Sequence, residues 1–88
     1  MPRVELTDEI IDRAFDKIKH KFREKLREKG RHSLCSTHEC LGIINEEHAE
    51  LIEAVRSNSD EEFEEEMADI GICVILALAS LYADGLEW

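Results

Sequence analysis

The longest uncharged stretch of this chain, Ile70 to Tyr82, constrains the fold more than any other feature of the 88 residues. A helix that is apolar on all sides must be covered on all sides, and so short a chain has little other structure to cover it. The stretch is shorter than the ~20 residues needed to cross a bilayer, and the first residues lack the hydrophobic core of a signal peptide. We therefore expect a cytoplasmic protein without membrane contact that assembles as an oligomer.

The formal charge of −10 is unevenly placed along the chain. Residues 1–33 hold ten Lys and Arg against seven acids, a balance of +3, whereas residues 34–88 hold one base against fourteen acids, a balance of −13. Nucleic-acid binding needs a basic surface for the phosphate backbone, so the acidic body excludes it as the main function. The basic first third can still bind a smaller phosphate-bearing partner.

Hydrophobic periodicity predicts an all-α fold with no strand. We expect one domain over residues 1–88, with helices at about residues 7–29, 37–57 and 60–83. The expected N-caps are Thr7, Ser36 and Ser59, and the last two fit capping boxes. The short connection between the second and third helices predicts an antiparallel hairpin.

Two acidic pairs lie on this hairpin, Glu47 with Glu50 and Glu66 with Asp69. A spacing of three residues places both carboxylates of a pair on nearly the same side of a helix. Glu50 and Glu66 are about equally far from the turn, so all four carboxylates should converge. Such crowding raises carboxylate pKa values unless a cation is present, and Mg²⁺ prefers hard oxygen ligands. We expect Mg²⁺, with Mn²⁺ as the alternative.

Local ion pairing is expected to supply little compensation for the charge of Asp69. Asp69 directly precedes the apolar stretch, where an ionised carboxylate needs a partner, and Arg56 is the only base after Arg31. The competing interpretation is a solvated acidic face near the start of the third helix, favoured by the helix dipole.

The apolar stripe of the second helix orients the acids of that helix. Glu47 and Glu50 flank the stripe and are the expected inward ligands, whereas Glu46 points away and is a candidate to assist them. The stripe consists of Leu41, Ile44, His48, Leu51, Ile52 and Val55.

Two other metal chemistries fit less well. Zinc could use four donors within nine residues, but their spacing matches no familiar zinc motif, and we expect reduced thiols. Di-iron bundles use Glu-x-x-His pairs, which this chain lacks. The four zinc candidates are His32, Cys35, His38 and Cys40.

The acidic motif, Glu46-Glu47-x-x-Glu50 followed by Glu66-x-x-Asp69, resembles that of the MazG-like nucleotide pyrophosphohydrolases of the all-α NTP pyrophosphatase superfamily. The resemblance covers about residues 36–82. It includes the Thr-His-Glu-x-Leu-Gly approach to the first pair and the Ala-Asp-Ile start of the apolar helix.

The resemblance implies a Mg²⁺-dependent enzyme that cleaves nucleoside triphosphates between the α and β phosphates, releasing a monophosphate and pyrophosphate. It also implies a homodimer or homotetramer in which an intersubunit helical bundle is completed. By position, the metal ligands would be Glu47, Glu50, Glu66 and Asp69. Glu46 and Glu47 would act in catalysis, with Glu46 as a further ligand or orienting the attacking water.

The chain departs from the family pattern after the apolar helix, where catalytic members usually carry further phosphate-binding residues. We therefore expect phosphates to be bound by the first helix, by Arg31, His32 or His38, or by a neighbouring subunit. Two alternatives remain: a non-catalytic helical module that binds nucleotide or protein, and a phosphoribosyl-ATP pyrophosphohydrolase, which has a similar length and acidic layout.

Overall fold

The computed structural model describes all 88 residues and confirms the all-α prediction. No strand is present, only a single isolated bridge near the chain's end. The three helices are α1 (Asp8–Lys29), α2 (Thr37–Ser57) and α3 (Asp60–Tyr82).

Side-chain caps determine where each helix begins. The hydroxyl of Thr7 accepts from Ile10 N, that of Ser36 from Glu39 N and that of Ser59 from Glu62 N. Each hydroxyl satisfies one of the backbone N–H groups that a helix leaves unpaired at its start.

The central helix is α3, because α1 and α2 each pack on it and not on each other. Asn58, with a left-handed φ of 57°, ends α2 and allows an immediate reversal into α3. On the other side of α3, Ile18 of α1 lies directly over Gly71, the small residue that permits this close approach.

The side of α2 that packs on α3 differs from the predicted stripe. His48 is exposed, and Leu41, Ile52 and Val55 retain 59, 39 and 55% of their exposure. The predicted stripe is therefore only partly right, because α2 has apolar residues on two sides and periodicity alone does not tell which one α3 covers. The less exposed side of α2 consists of Cys40, Ile43, Ile44, Glu47, Leu51 and Ala54.

Backbone pairing joins the segment before α2 to the segment after α3. Glu87 N donates to Cys35 O at 2.9 Å, and Thr37 N donates to Glu87 O at 2.8 Å. Nearby, the buried Ser80 hydroxyl accepts from Leu34 N and donates to Leu76 O. These bonds attach the α1–α2 connector to the end of α3.

A single chain buries very little of its apolar surface. Ala54, Ala68 and Ile72 are the only buried hydrophobic residues. The apolar stretch of α3 remains largely open, and no helix is long and apolar enough to cross a membrane. The large hydrophobic residues exposed in that stretch are Val74, Ile75, Leu78, Leu81 and Tyr82.

Candidate metal centre

Three carboxylates converge between α2 and α3. Glu47 lies in the middle of α2, and Glu66 and Asp69 lie one turn apart on α3. One oxygen from each lies within 4.8 Å of the other two. The antiparallel hairpin produces this convergence, because it brings positions on the two sides of the turn to the same height.

The oxygens of this cluster lack hydrogen bonds. Glu47 Oε2, Glu66 Oε2 and Asp69 Oδ1 are shielded from solvent, and none accepts a hydrogen bond with acceptable angles. A buried oxygen without a donor loses its hydration without compensation. Lys21 lies close to Asp69 Oδ1, but Glu47 Oε2 and Glu66 Oε2 have no such partner, and the three carboxylates form a donor set that suits a hard divalent cation.

The electrostatics of the cluster point the same way. Burial raises the pKa of Glu47, and the charges of Glu50, Asp69 and Glu66 raise it further. Burial also raises the pKa of Glu66, together with the neighbouring Glu50 carboxylate. Two like charges 4 Å apart repel by about 4 kcal/mol at an effective dielectric near 20. A cation among these groups would therefore stabilise them in their ionised form.

Lysines of α1 complete the other side of the cluster. Lys21 Nζ lies 2.9 Å from Asp69 Oδ1, an ion-pair contact whose angles fall outside hydrogen-bond geometry, and Lys25 Nζ lies 3.7 Å from the same oxygen. The prediction for Asp69 concerned local ion pairing, and these two partners are not local. The compensating charges come from residues more than forty positions earlier in the chain.

Lys21 is held in place by a second acid. Its ammonium donates to Glu65 Oε2 at 2.6 Å and to Glu65 O at 3.2 Å, while Lys17 donates to Glu65 Oε1 at 2.7 Å. The two bonds to the carboxylate, from Lys17 and Lys21, lower the pKa of Glu65 to about 2. Burial opposes the charged form of Lys21, but its contacts with Asp69 and Glu65 outweigh this and raise its pKa. Glu65 therefore orients α1 rather than joining the cluster.

Glu50 and Glu46 are both exposed on α2. Glu50 lies beside Glu66 and lines an open hollow that runs from the cluster toward the α2–α3 turn. Apart from Ala54 and Ser59, every residue lining this hollow is a glutamate: Glu50, Glu53, Glu61, Glu62, Glu65 and Glu66.

The sequence comparison agrees with this geometry. Residues 36–86, more than half of the chain, match the family model described as the MazG nucleotide pyrophosphohydrolase domain. The chain belongs to the MazG family. Comparisons with curated proteins and with solved structures gave no significant match. The matched region contains all four predicted ligands of the MazG domain, Glu47, Glu50, Glu66 and Asp69.

The predicted phosphate-binding residues of the MazG domain lie apart from the cluster. Arg31 and His32 are exposed in the connector, and neither contacts a cluster carboxylate. His38 is exposed in the first turn of α2, nine residues before Glu47, which is about 14 Å along the helix axis. Their assignment as substrate ligands stays a prediction.

Sequence reasoning missed Lys21 and Lys25. The available signal was a row of lysines at a spacing of four, Lys17, Lys21 and Lys25, beside the apolar positions Ile18 and Phe22 that face α3. A spacing of four keeps residues on one side of a helix. In the MazG domain this side faces the acids of α3.

The three cysteines, Cys35, Cys40 and Cys73, are all free thiols. Burial raises the pKa of Cys73, and the charges of Glu47 and Asp69 raise it further. This thiol is therefore held in its protonated form beside the cluster, which disfavours its use as a metal ligand.

Proposed function

We propose that this MazG domain is a Mg²⁺-dependent nucleoside triphosphate pyrophosphohydrolase. It would cleave between the α and β phosphates and release a nucleoside monophosphate and pyrophosphate. The observation that carries the proposal is the convergence of three carboxylates, Glu47, Glu66 and Asp69, each with a solvent-shielded oxygen that accepts no hydrogen bond. Family membership supplies the reaction class.

The proposed metal ligands are Glu47, Glu66 and Asp69, with Glu50 joining from the edge of the cluster. Mg²⁺ is the expected ion and Mn²⁺ the alternative. When bound, such an ion neutralises charge on the phosphate oxygens and makes a bound water more acidic. Asp69 also retains Lys21 as a neighbour, which limits the movement of its carboxylate.

Glu46 is the proposed water-orienting residue. It is exposed on α2, directly before Glu47, and no ion pair holds its carboxylate elsewhere. An ionised carboxylate accepts hydrogen bonds only, so it can orient a water molecule and receive a proton from it. In this proposal Glu47 would hold the ion, and the adjacent Glu46 would orient the water molecule.

Pyrophosphate release is the decisive assay. Purified protein is incubated with canonical and modified nucleoside triphosphates and with phosphoribosyl-ATP, with Mg²⁺ or with EDTA. We expect release with Mg²⁺ and none with EDTA. Asp69→Asn should abolish release, whereas Asp12→Asn, the same change at an exposed position of α1, should leave it intact.

Thermal unfolding gives a second readout that does not need turnover. An ion at 100 times its Kd stabilises the native state by about 2.7 kcal/mol, which shifts the Tm of a domain this small by at least about 10 °C. We expect this shift in the wild type and in Asp12→Asn but not in Asp69→Asn. A folded protein with no release and no shift would instead be a non-catalytic module of the same fold.

We also propose that a second copy of the chain covers α3. The exposed apolar residues of α3 continue around the helix from the side that α1 and α2 already cover, and exposed patches of this kind mark association surfaces. Light scattering should give a dimer or tetramer, and Leu78→Glu should dissociate it. A monomeric wild type at micromolar concentration would refute the assembly.

A further inference from the structure

The cations near the metal centre differ in how fully they are engaged. Lys17 contacts Glu64 and Glu65, and Lys21 contacts Glu65 and Asp69. Lys25 has a single partner, Asp69 Oδ1 at 3.7 Å, and donates no hydrogen bond. An ammonium has three N–H donors. Lys25 is therefore the cation beside the cluster with donors to spare.

The surroundings of the cluster also limit the direction from which a polyanion can approach. Toward the α2–α3 turn, the hollow that begins at Glu50 and Glu66 is lined by glutamates alone among its charged residues. A triphosphate carries several negative charges and is repelled on that side. On the side of α1, Lys21 and Lys25 lie next to Asp69 and offset the charge of the acids.

Resting on the proposed function, we infer that Lys25 binds a phosphate group of the nucleotide at the metal centre. Its side chain is 38% exposed, so the ammonium can leave Asp69 for an incoming oxygen without first emerging from a core. Once an ion shares the charge of Asp69, the Lys25 contact loses much of its attraction. Lys21 is only 20% exposed and is hydrogen-bonded to Glu65, so it keeps its contacts within the protein and positions the Asp69 carboxylate.

The phosphate chain would then lie along the last turns of α1, away from the glutamate-lined hollow. A lysine binds phosphate as a point charge and does not select its base. Lys25 should therefore act equally on every triphosphate that the centre accepts, and on inorganic tripolyphosphate, which has no base.

The test uses the full chain loaded with Mn²⁺ and inorganic tripolyphosphate as the probe. Titration calorimetry measures first the affinity for Mn²⁺ alone and then that of the loaded protein for tripolyphosphate. Loss of one charge-assisted hydrogen bond weakens binding by about 10- to 100-fold. We expect this loss in Lys25→Met, near-wild-type binding in Lys25→Arg, and no change in Lys19→Met, an exposed lysine of the same helix.

The affinity for Mn²⁺ alone distinguishes a direct contact between Lys25 and phosphate from an effect of Lys25 on the shape of the carboxylate cluster. Lys25→Met should bind Mn²⁺ at least as tightly as the wild type, because removing a nearby positive charge favours a cation. A parallel loss of Mn²⁺ affinity would show that Lys25 only shapes the cluster and would overturn the inference. Unchanged tripolyphosphate binding in Lys25→Met would overturn it as well.

The failures of the two proposals are distinguishable. If the wild type binds tripolyphosphate through Lys25 but releases no pyrophosphate from any triphosphate, the proposed function fails and the Lys25 site stands. If the wild type releases pyrophosphate and Lys25→Met binds tripolyphosphate normally, only the Lys25 site fails. A Mn²⁺-loaded wild type that binds no tripolyphosphate would overturn the Lys25 site directly.

Discussion

Replacing Gly71 by alanine tests how closely α1 approaches α3 beside the metal centre. A Cβ at this position would lie 2.7 Å from Ile18 Cδ1 and 3.1 Å from Ile18 Cγ1. Carbon atoms normally approach to about 3.5–4.0 Å. Isoleucine is stiff at χ1 because it branches at Cβ, and Cγ2, at 3.4 Å, limits rotation to the other side. We therefore expect α1 to move outward.

The magnitude follows from two opposing effects. Alanine is more favourable than glycine inside a helix by about 1 kcal/mol, while overpacking a contact costs about 1–3 kcal/mol. Gly42 is the matched control, because it lies within α2 and a Cβ there meets no atom within 4 Å. Gly42→Ala should gain about 1 kcal/mol, and Gly71→Ala should be less stable than Gly42→Ala by about 1–3 kcal/mol.

Urea unfolding of the metal-free proteins at one protein concentration measures this difference. Equal m values for all variants would show that only stability has changed, and light scattering would show that the assembly state is unchanged. The reasoning is refuted if Gly71→Ala raises the free energy of unfolding as much as Gly42→Ala does. Ile18 would then not be pressed against α3 as the structure places it.

Three further predictions concern the charges and the buried hydroxyl. The pKa values of Glu47 and Glu66 are raised, so the folded protein binds more protons than the unfolded chain. These two groups therefore stabilise the metal-free fold fully below about pH 4.5. They lose that contribution as the pH rises through their folded pKa values. Without metal the Tm should fall as the pH rises above about 4.5, and saturating Mg²⁺ should reduce or reverse this fall, because the ion needs ionised ligands. Lys21→Met should destabilise the metal-free protein by about 1–3 kcal/mol, since it leaves the shielded Asp69 carboxylate underpaired, yet enlarge the Mg²⁺-induced rise in Tm; a smaller rise than in the wild type would contradict this. Ser80→Ala should cost about 1–2 kcal/mol in urea unfolding, because it removes a buried hydroxyl that both donates and accepts; a cost near zero would count against that hydroxyl's role.

The parts of the structure that depend on local chemistry could be predicted from the sequence. A serine or threonine cap acts within three residues, so Thr7, Ser36 and Ser59 identify the helix starts directly. The convergence of Glu47, Glu66 and Asp69 could also be anticipated, because a short turn fixes which heights of α2 and α3 meet.

The parts that depend on distant segments could not be predicted. Lys21 meets Asp69 only because α1 packs on α3, and the row of lysines on α1 does not by itself indicate which helix it faces. The pairing of Glu87 with Cys35 involves a single bridge, which leaves no alternation to detect. On α2 the predicted stripe was only partly right, because periodicity identifies apolar sides of a helix but not which side another helix covers.

The backbone bonds between Glu87 and the residues around Ser36 divide the molecule into two mechanical units. These bonds join the start of α2 to the segment after α3, at the end of the hairpin opposite its turn, and make residues 36–87 a closed unit. At that end α2 and α3 cannot separate without breaking them. α1 is attached through one helix face and a connector, and contacts α3 alone. Detaching α1 exposes fewer packed groups than opening the hairpin, so we expect the amides of α1 to undergo faster hydrogen exchange. The cluster acids thus lie within the closed unit and Lys21 and Lys25 lie outside it on α1, so we expect local opening of α1 to remove the lysines before the acids lose their arrangement.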